Sequence, residues 1–266
     1  MVGLRKDFLP TQLRAETLAA GIDGVISVQA RQSVEETRWL LSLAANHDWI
    51  LGVVGWLPIA SPTVRETMDL FRHEKKLRSL RHVVQDEHDD GFLARTGFNE
   101  GIRAIQDFGW AYDLLIYARQ LPFAIPFVDR HPDQVFVLDH IGKPTIQSGS
   151  HDNAWDRNLR ELAERPNVFC KFSGVVTEVR DPAWSLPQIQ RYWDTAIEAF
   201  GSERLLFGTD WPVCLLKANY DQWVATVSVL ASKLSVDEQD RFWSKNAIRA
   251  YRLGSGMQDA GIGRCD

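Results

Sequence analysis

Seven short apolar runs recur along this chain at steps of 23 to 38 residues, each followed by an amphipathic stretch, and that rhythm constrains the fold more than any other feature. Runs rich in Val, Ile, Leu and Phe that alternate with helical patterns build parallel sheets, because each parallel strand needs a crossover to reach the next. They predict strands over Gly24 to Gln29, Ile50 to Gly55, Leu80 to Val84, Tyr112 to Ile116, Val135 to Asp139, Val168 to Lys171 and Leu205 to Gly208. An eight-unit barrel of about 250 residues averages about 31 residues per unit. The 266 residues therefore read as an α/β chain forming one (β/α)8 TIM-barrel domain over 1–253, with a flexible tail over 254–266. No Gly-x-Gly-x-x-Gly follows the first run, which argues against an open doubly wound sheet.

Helix signals fill the intervals. Pro10 opens a helix that Gly21 closes, Ser33 precedes Val34, Glu35 and Glu36 in a capping arrangement, and Asp152 or Asn153 caps the stretch through Ala163. Trp39, Leu40, Leu43 and Ala44 are expected on one apolar face. The first helix should follow a strand, yet Met1 to Arg5 is too short and polar to supply one. The barrel is thus expected to lack its first strand, with Met1 as an internal start, and to carry two unpaired edges.

Charge and composition narrow the partners. A net charge of -5 without a long Lys/Arg run argues against nucleic-acid binding and leaves small metabolites as the expected ligands. Cys170, Cys214 and Cys265 are widely spaced, so no disulfide is expected and a cytoplasmic setting is. No segment reaches the roughly 18 apolar residues of a membrane span. Exposed Trp and open barrel edges make a homo-oligomer an expectation.

In parallel β/α proteins only the carboxyl ends of strands reach a pocket, so residues there are the candidates for chemistry. Two runs end in titratable groups beside Gly and Pro: Leu205 to Pro212, with Asp210 between Gly208 and Pro212, and Val135 to Pro144, with Asp139 and His140 ahead of Gly142 and Pro144. Across all seven ends the ring comprises Gln29 and Arg31, Trp56, Arg81 and His82, Tyr117, His140 and Lys143, Ser173, and Asp210 with Trp211. One carboxylate, two imidazoles, cations and indoles suit a polar, hydroxylated ligand, neutral or anionic. Plainer roles stand beside these. His82 can be a hydrogen-bonded interior group, Arg31 and Arg81 can pair with Glu35, Asp86 or Glu87, Trp56 and Trp211 can be core, and Lys143 can cap a loop. His47, His73, His88, His131 and His151 are expected to be solvated.

The segments Val137 to Pro144, Phe207 to Pro212, Gln29 to Gln32, Leu80 to Gln85 and Asn246 to Tyr251 resemble the amidohydrolase-related (amidohydrolase 2) family, and within it the sugar lactonase branch that includes L-fuconolactonases. The likeness covers Leu4 to Leu253. It implies that Asp210 takes a proton from the attacking water and that His140 polarises the carbonyl or binds a metal. Gln29, Arg31, Trp56, Arg81, His82, Lys143 and Trp211 would then bind substrate. Family members begin with a strand ending in His-x-His, which this sequence lacks. His140 and Asp210 supply two ligands where a catalytic zinc usually takes three. The chain as given is therefore expected to require no cofactor, and a single divalent metal, zinc, is expected only if an upstream His-x-His is restored. The expected function is hydrolysis of a small sugar-derived lactone, with a metal-dependent decarboxylase or a non-catalytic ligand-binding barrel as alternatives.

Overall fold

In the computed structural model, which describes residues 4–254, the seven apolar runs form seven strands: β1 (Val25–Val28), β2 (Ile50–Gly55), β3 (Leu77–His82), β4 (Ala111–Leu114), β5 (Phe136–Leu138), β6 (Val168–Phe172) and β7 (Leu205–Phe207). They lie in one parallel sheet in chain order, each paired with its sequence neighbour. β3 starts three residues ahead of the expected Leu80, because Leu77 is buried and the polar Ser79 faces inward to a hydrogen bond with Asp113. Among the described residues ten α-helices precede, connect or follow the strands: α1 (Pro10–Ala19), α2 (Val34–Asn46), α3 (Val64–Asp69), α4 (Thr96–Asp107), α5 (Leu121–Asp129), α6 (Asn153–Ala163), α7 (Leu186–Arg204), α8 (Tyr220–Ala231), α9 (Val236–Asp240) and α10 (Asn246–Ala250).

The predicted caps form. Ser33 Oγ accepts the Glu36 amide at the start of α2, and Asp152 Oδ1 accepts the Trp155 amide at the start of α6. Glu36 does not reach back to its own cap; its carboxylate accepts the amides of Ala30 and Arg31 and so pins the loop after β1. Trp39 departs from the expected apolar face of α2, since 46% of it is exposed while Leu40, Leu41 and Ala44 are buried.

Strand alternation sorts side chains into two cores. Outward residues such as Val53, Leu80, Tyr112, Phe136, Val168 and Leu205 pack under the helices. Inward residues Val54, Ala111, Val137, Phe169 and Leu206 form a smaller cluster that Ala250, Tyr251 and Leu253 plug from the amino ends of the strands. Asn246 seats that plug by donating to the carbonyls of Ser202 and Leu205.

Above the apolar plug the sheet interior is ionic. Lys171 Nζ donates to Asp113 at 2.5 Å and to Asp139 at 2.7 Å, Arg81 donates to Asp139 at 2.8 Å, and the hydroxyls of Ser79 and Tyr251 donate to Asp113 at 2.6 and 2.8 Å. Buried charges persist only when paired and hydrogen-bonded, and here every carboxylate is. Burial opposes ionisation of Asp139, but Lys171, Arg81 and His140 outweigh it and hold the carboxyl below the ordinary range. Asp113 and Asp139 likewise overcome the burial of Lys171 and keep it a cation.

Among the described residues β1 and β7 each pair on one side only. Residues 4–9 ahead of α1 contain no strand, and Phe8 instead packs edge-on against Trp211 with ring centroids 5.2 Å apart. The expected tail lies outside the described residues beyond Gly254. No helix is long and apolar enough to cross a membrane among the described residues.

Candidate active site

The loop after β5 delivers His140 and Lys143 by an unusual backbone path. His140, Ile141 and Lys143 have φ of 52°, 48° and 50°, and Gly142 between them 70°. A left-handed backbone costs a non-glycine residue about 1 kcal/mol or more, and most for a β-branched one, so three within four residues need outside support. The buried indole of Trp155 supplies part of it, donating to the Ile141 carbonyl at 2.6 Å. Asp210, after β7, has φ 57°, and its loop is held by the Trp223 indole on the Gly208 carbonyl at 2.8 Å.

These two loops meet. His140 Nε2 lies 3.7 Å from Asp210 Oδ1, and His140 Nδ1 lies 2.9 Å from the buried Ser173 hydroxyl. When Ser173 donates to Nδ1, Nε2 carries the ring proton on the side of Asp210; the reverse tautomer would have Nδ1 donate to the Ser173 hydroxyl. Gly174, after β6, abuts both side chains. Its φ is +63°, and a Cβ there would stand 2.8 Å from both Asp210 Oδ2 and His140 Nδ1. Only a residue without a side chain fits at that point.

Lys143 and Glu178 form the next wall. Lys143 Nζ lies 5.5 Å from the centre of the Tyr117 ring and 3.9 Å from Glu178 Oε1. Glu178 is 8% exposed, and burial pushes its carboxyl above the ordinary range despite the opposing charge of Lys143.

The remaining candidates are brought to the same end of the sheet, and Gln29, Trp56, Arg81 and His82 are tied to protein partners. Arg81 bonds Asp139 and the Gln29 carbonyl, and Gln29 Nε2 donates to the Arg81 carbonyl at 3.2 Å. Buried Gln29 Oε1 and Arg81 Nε keep no protein partner. The partner of Arg81 is thus Asp139 rather than Asp86 or Glu87. Trp56 Nε1 donates to His82 Nδ1 at 3.3 Å, His82 Nε2 meets Glu87 at 2.7 Å, and the His82 ring stacks on Phe92. Burial lowers the His82 pKa, with Glu87 offsetting part of the effect. Arg31 is exposed at the rim, and Trp211 is half-buried against Phe8. His131 corrects the expectation of solvated histidines: it is 2% exposed and hydrogen-bonded to Asn99 at 2.9 Å.

Whether these residues fit a metal can be read from the donors. His140 and Asp210 converge, yet no group of three or more His, Cys, Asp or Glu able to hold a metal occurs among the described residues. By themselves the described residues do not complete a zinc centre.

Asp113, Lys171, Gly174 and Glu178 were not singled out from sequence. Asp113 and Lys171 carried a signal, since each is a charge at an inward position of an otherwise apolar strand. Gly174 and Glu178 sit in an irregular loop that offers none.

The amidohydrolase family profile matches residues 3–253. The L-fucono-1,5-lactonase of Burkholderia multivorans is 40% identical over 260 residues, which cover 94% of this chain and 88% of that protein. A second L-fucono-1,5-lactonase, from Burkholderia ambifaria, is 33% identical, with 96% of this chain and 89% of that protein covered. A crystal structure of an amidohydrolase from Burkholderia multivorans with bound zinc superposes with a TM-score of 0.92 at 39% identity, covering 96% of this chain and 92% of that one.

Proposed function

Because the chain belongs to the amidohydrolase family and is a hydrolase, we propose that it opens a small, neutral, sugar-derived lactone with a water activated by Asp210. The observation that carries the reading is the convergence of Asp210 and His140 at 3.7 Å around a glycine that leaves no room for a side chain. The two lactonase relatives support the substrate class.

In this reading Asp210 accepts a proton as the water oxygen bonds to the lactone carbonyl carbon. The Nε2–H of His140, fixed by Ser173, hydrogen-bonds the oxyanion that develops. Collapse breaks the bond to the ring oxygen, and Asp210 returns its proton to that oxygen, giving the hydroxy acid. Lys143 and Trp211 border the substrate. Trp56 and His82 form a wall, Arg31 sits at the rim, and Gln29 with Arg81 form the floor. We take residues 1–253 as one catalytic domain. We also take the open edges of β1 and β7 as the seat of an eighth strand that residues 4–254 do not supply; a His-x-His there would add the donors a zinc ion needs beside His140 and Asp210.

The test is acid release from a panel of neutral aldonolactones, followed with a pH indicator, for this chain and for a version extended upstream. Acid release without CO2 supports the lactonase. Release of CO2 from an aromatic acid, abolished by a chelator, would replace it with a decarboxylase, and thermal stabilisation by a lactone that is never consumed would replace it with a binding protein.

A further inference from the structure

Glu178 is an acid near His140 and Asp210 that the proposed reaction leaves unused. It ends the turn after β6, is 8% exposed, and retains 11% of its side-chain surface. Its two cationic neighbours, Lys143 and the exposed Arg180, both stand at 3.9 Å, outside hydrogen-bond reach. Its charge is felt by, and feels, those of His140 and Asp210. Its oxygens have no hydrogen bond among the described residues yet keep some exposed surface, and a largely buried carboxyl of this kind gains when a ligand donates to it.

We infer that Glu178 determines specificity, accepting hydrogen bonds from ring hydroxyls of a neutral polyol and turning away rings that carry a carboxylate. The inference rests on the lactonase reading for its substrate. Lys143, held over the Tyr117 ring, supplies the complementary donor for a hydroxyl oxygen. Asp210 and Glu178 set two acids beside Lys143, while the charge of Arg81 on the floor is taken up by Asp139, so an anionic ring meets repulsion where a neutral one meets acceptors. Sites built to hydrogen-bond a substrate hydroxyl discriminate strongly because their own buried groups are otherwise left unpaired.

The probe is calorimetric binding of a 1,5-anhydrohexitol, a neutral ring that cannot be hydrolysed, against the same ring bearing a carboxylate. Wild type is expected to prefer the neutral ring by about tenfold or more. Glu178→Gln is expected to bind it about tenfold more weakly and to lose the preference, whereas Lys143→Met is expected to sharpen it. On a lactone, Glu178→Gln is expected to raise KM by about tenfold with kcat within about threefold. A normally folded Glu178→Gln that keeps the wild-type preference overturns the inference, as does a loss confined to kcat or wild type that fails to bind the neutral ring. Wild type that binds with the expected preference but opens no lactone defeats the lactonase reading instead and leaves the role of Glu178 standing.

Discussion

Replacing Gly174 by Ala tests whether the alignment of His140 and Asp210 depends on the absence of one methyl group. The new Cβ would lie 2.8 Å from Asp210 Oδ2 and from His140 Nδ1, against ordinary contact beginning at 3.4 Å, so each side chain must retreat by about 0.6 Å. Such a retreat stretches the 2.9 Å bond from Ser173 toward the limit of hydrogen bonding and turns the imidazole off the cleft. Misplacement of reacting groups by about 1 Å costs about 100-fold in rate, so kcat is expected to fall by about 10- to 100-fold. The left-handed backbone adds about 1 kcal/mol of destabilisation, or about 2 to 4 °C in Tm. Gly149→Ala is the matched control, since its φ is +74° and nothing lies within 4 Å of the added Cβ. It should lose similar stability and no activity. Lactone-opening rates and thermal melts of the two variants decide the matter. Gly174→Ala with more than half the wild-type kcat, or Gly149→Ala with the same loss of rate, would refute the reasoning.

The ionic interior and the buried histidine yield further expectations. Lys171→Met leaves Asp113 and Asp139 buried without their shared cation and should destabilise the fold by about 3 to 5 kcal/mol in denaturant melts, whereas a change below about 1 kcal/mol would mean the network is solvated. Burial, aided by the charges of Arg103 and Arg130, lowers the pKa of His131 to about 4 from its free value of 6.5. Between those pH values the unfolded chain binds the proton more readily than the folded one, so stability rises with pH across the window and is lost on acidification, by up to about 3 kcal/mol. Melts at pH 7 and pH 4.5 should differ less for His131→Phe than for wild type; equal pH dependence in the two proteins would contradict the assignment.

Most of the strand framework was legible because its signal is local. Apolar runs bounded by Gly, Pro and polar residues mark buried parallel strands whatever their neighbours, and Asp210 and His140 stand out because each follows such a run. What could not be read depends on contacts distant in sequence. Whether Arg81 faces a ligand or Asp139 is decided 58 residues away, and His131 reads as a loop residue until Asn99 is placed beside it. Glu178 and Gly174 acquire meaning only when the loops after β5, β6 and β7 converge. The left-handed run His140 to Lys143 is likewise invisible in composition, since Ile141 is a poor residue for that backbone and is kept there by Trp155.

The central claim is that Asp210 is the base, and the most direct measurement is the rate of acid release from the best aldonolactone by wild type and by Asp210→Asn, with a thermal melt of each. The amide cannot take the proton from water, so turnover is expected to fall by about 100- to 10,000-fold while the melt stays within a few degrees. An Asp210→Asn protein that folds normally and opens the lactone within a few-fold of the wild-type rate would contradict the account.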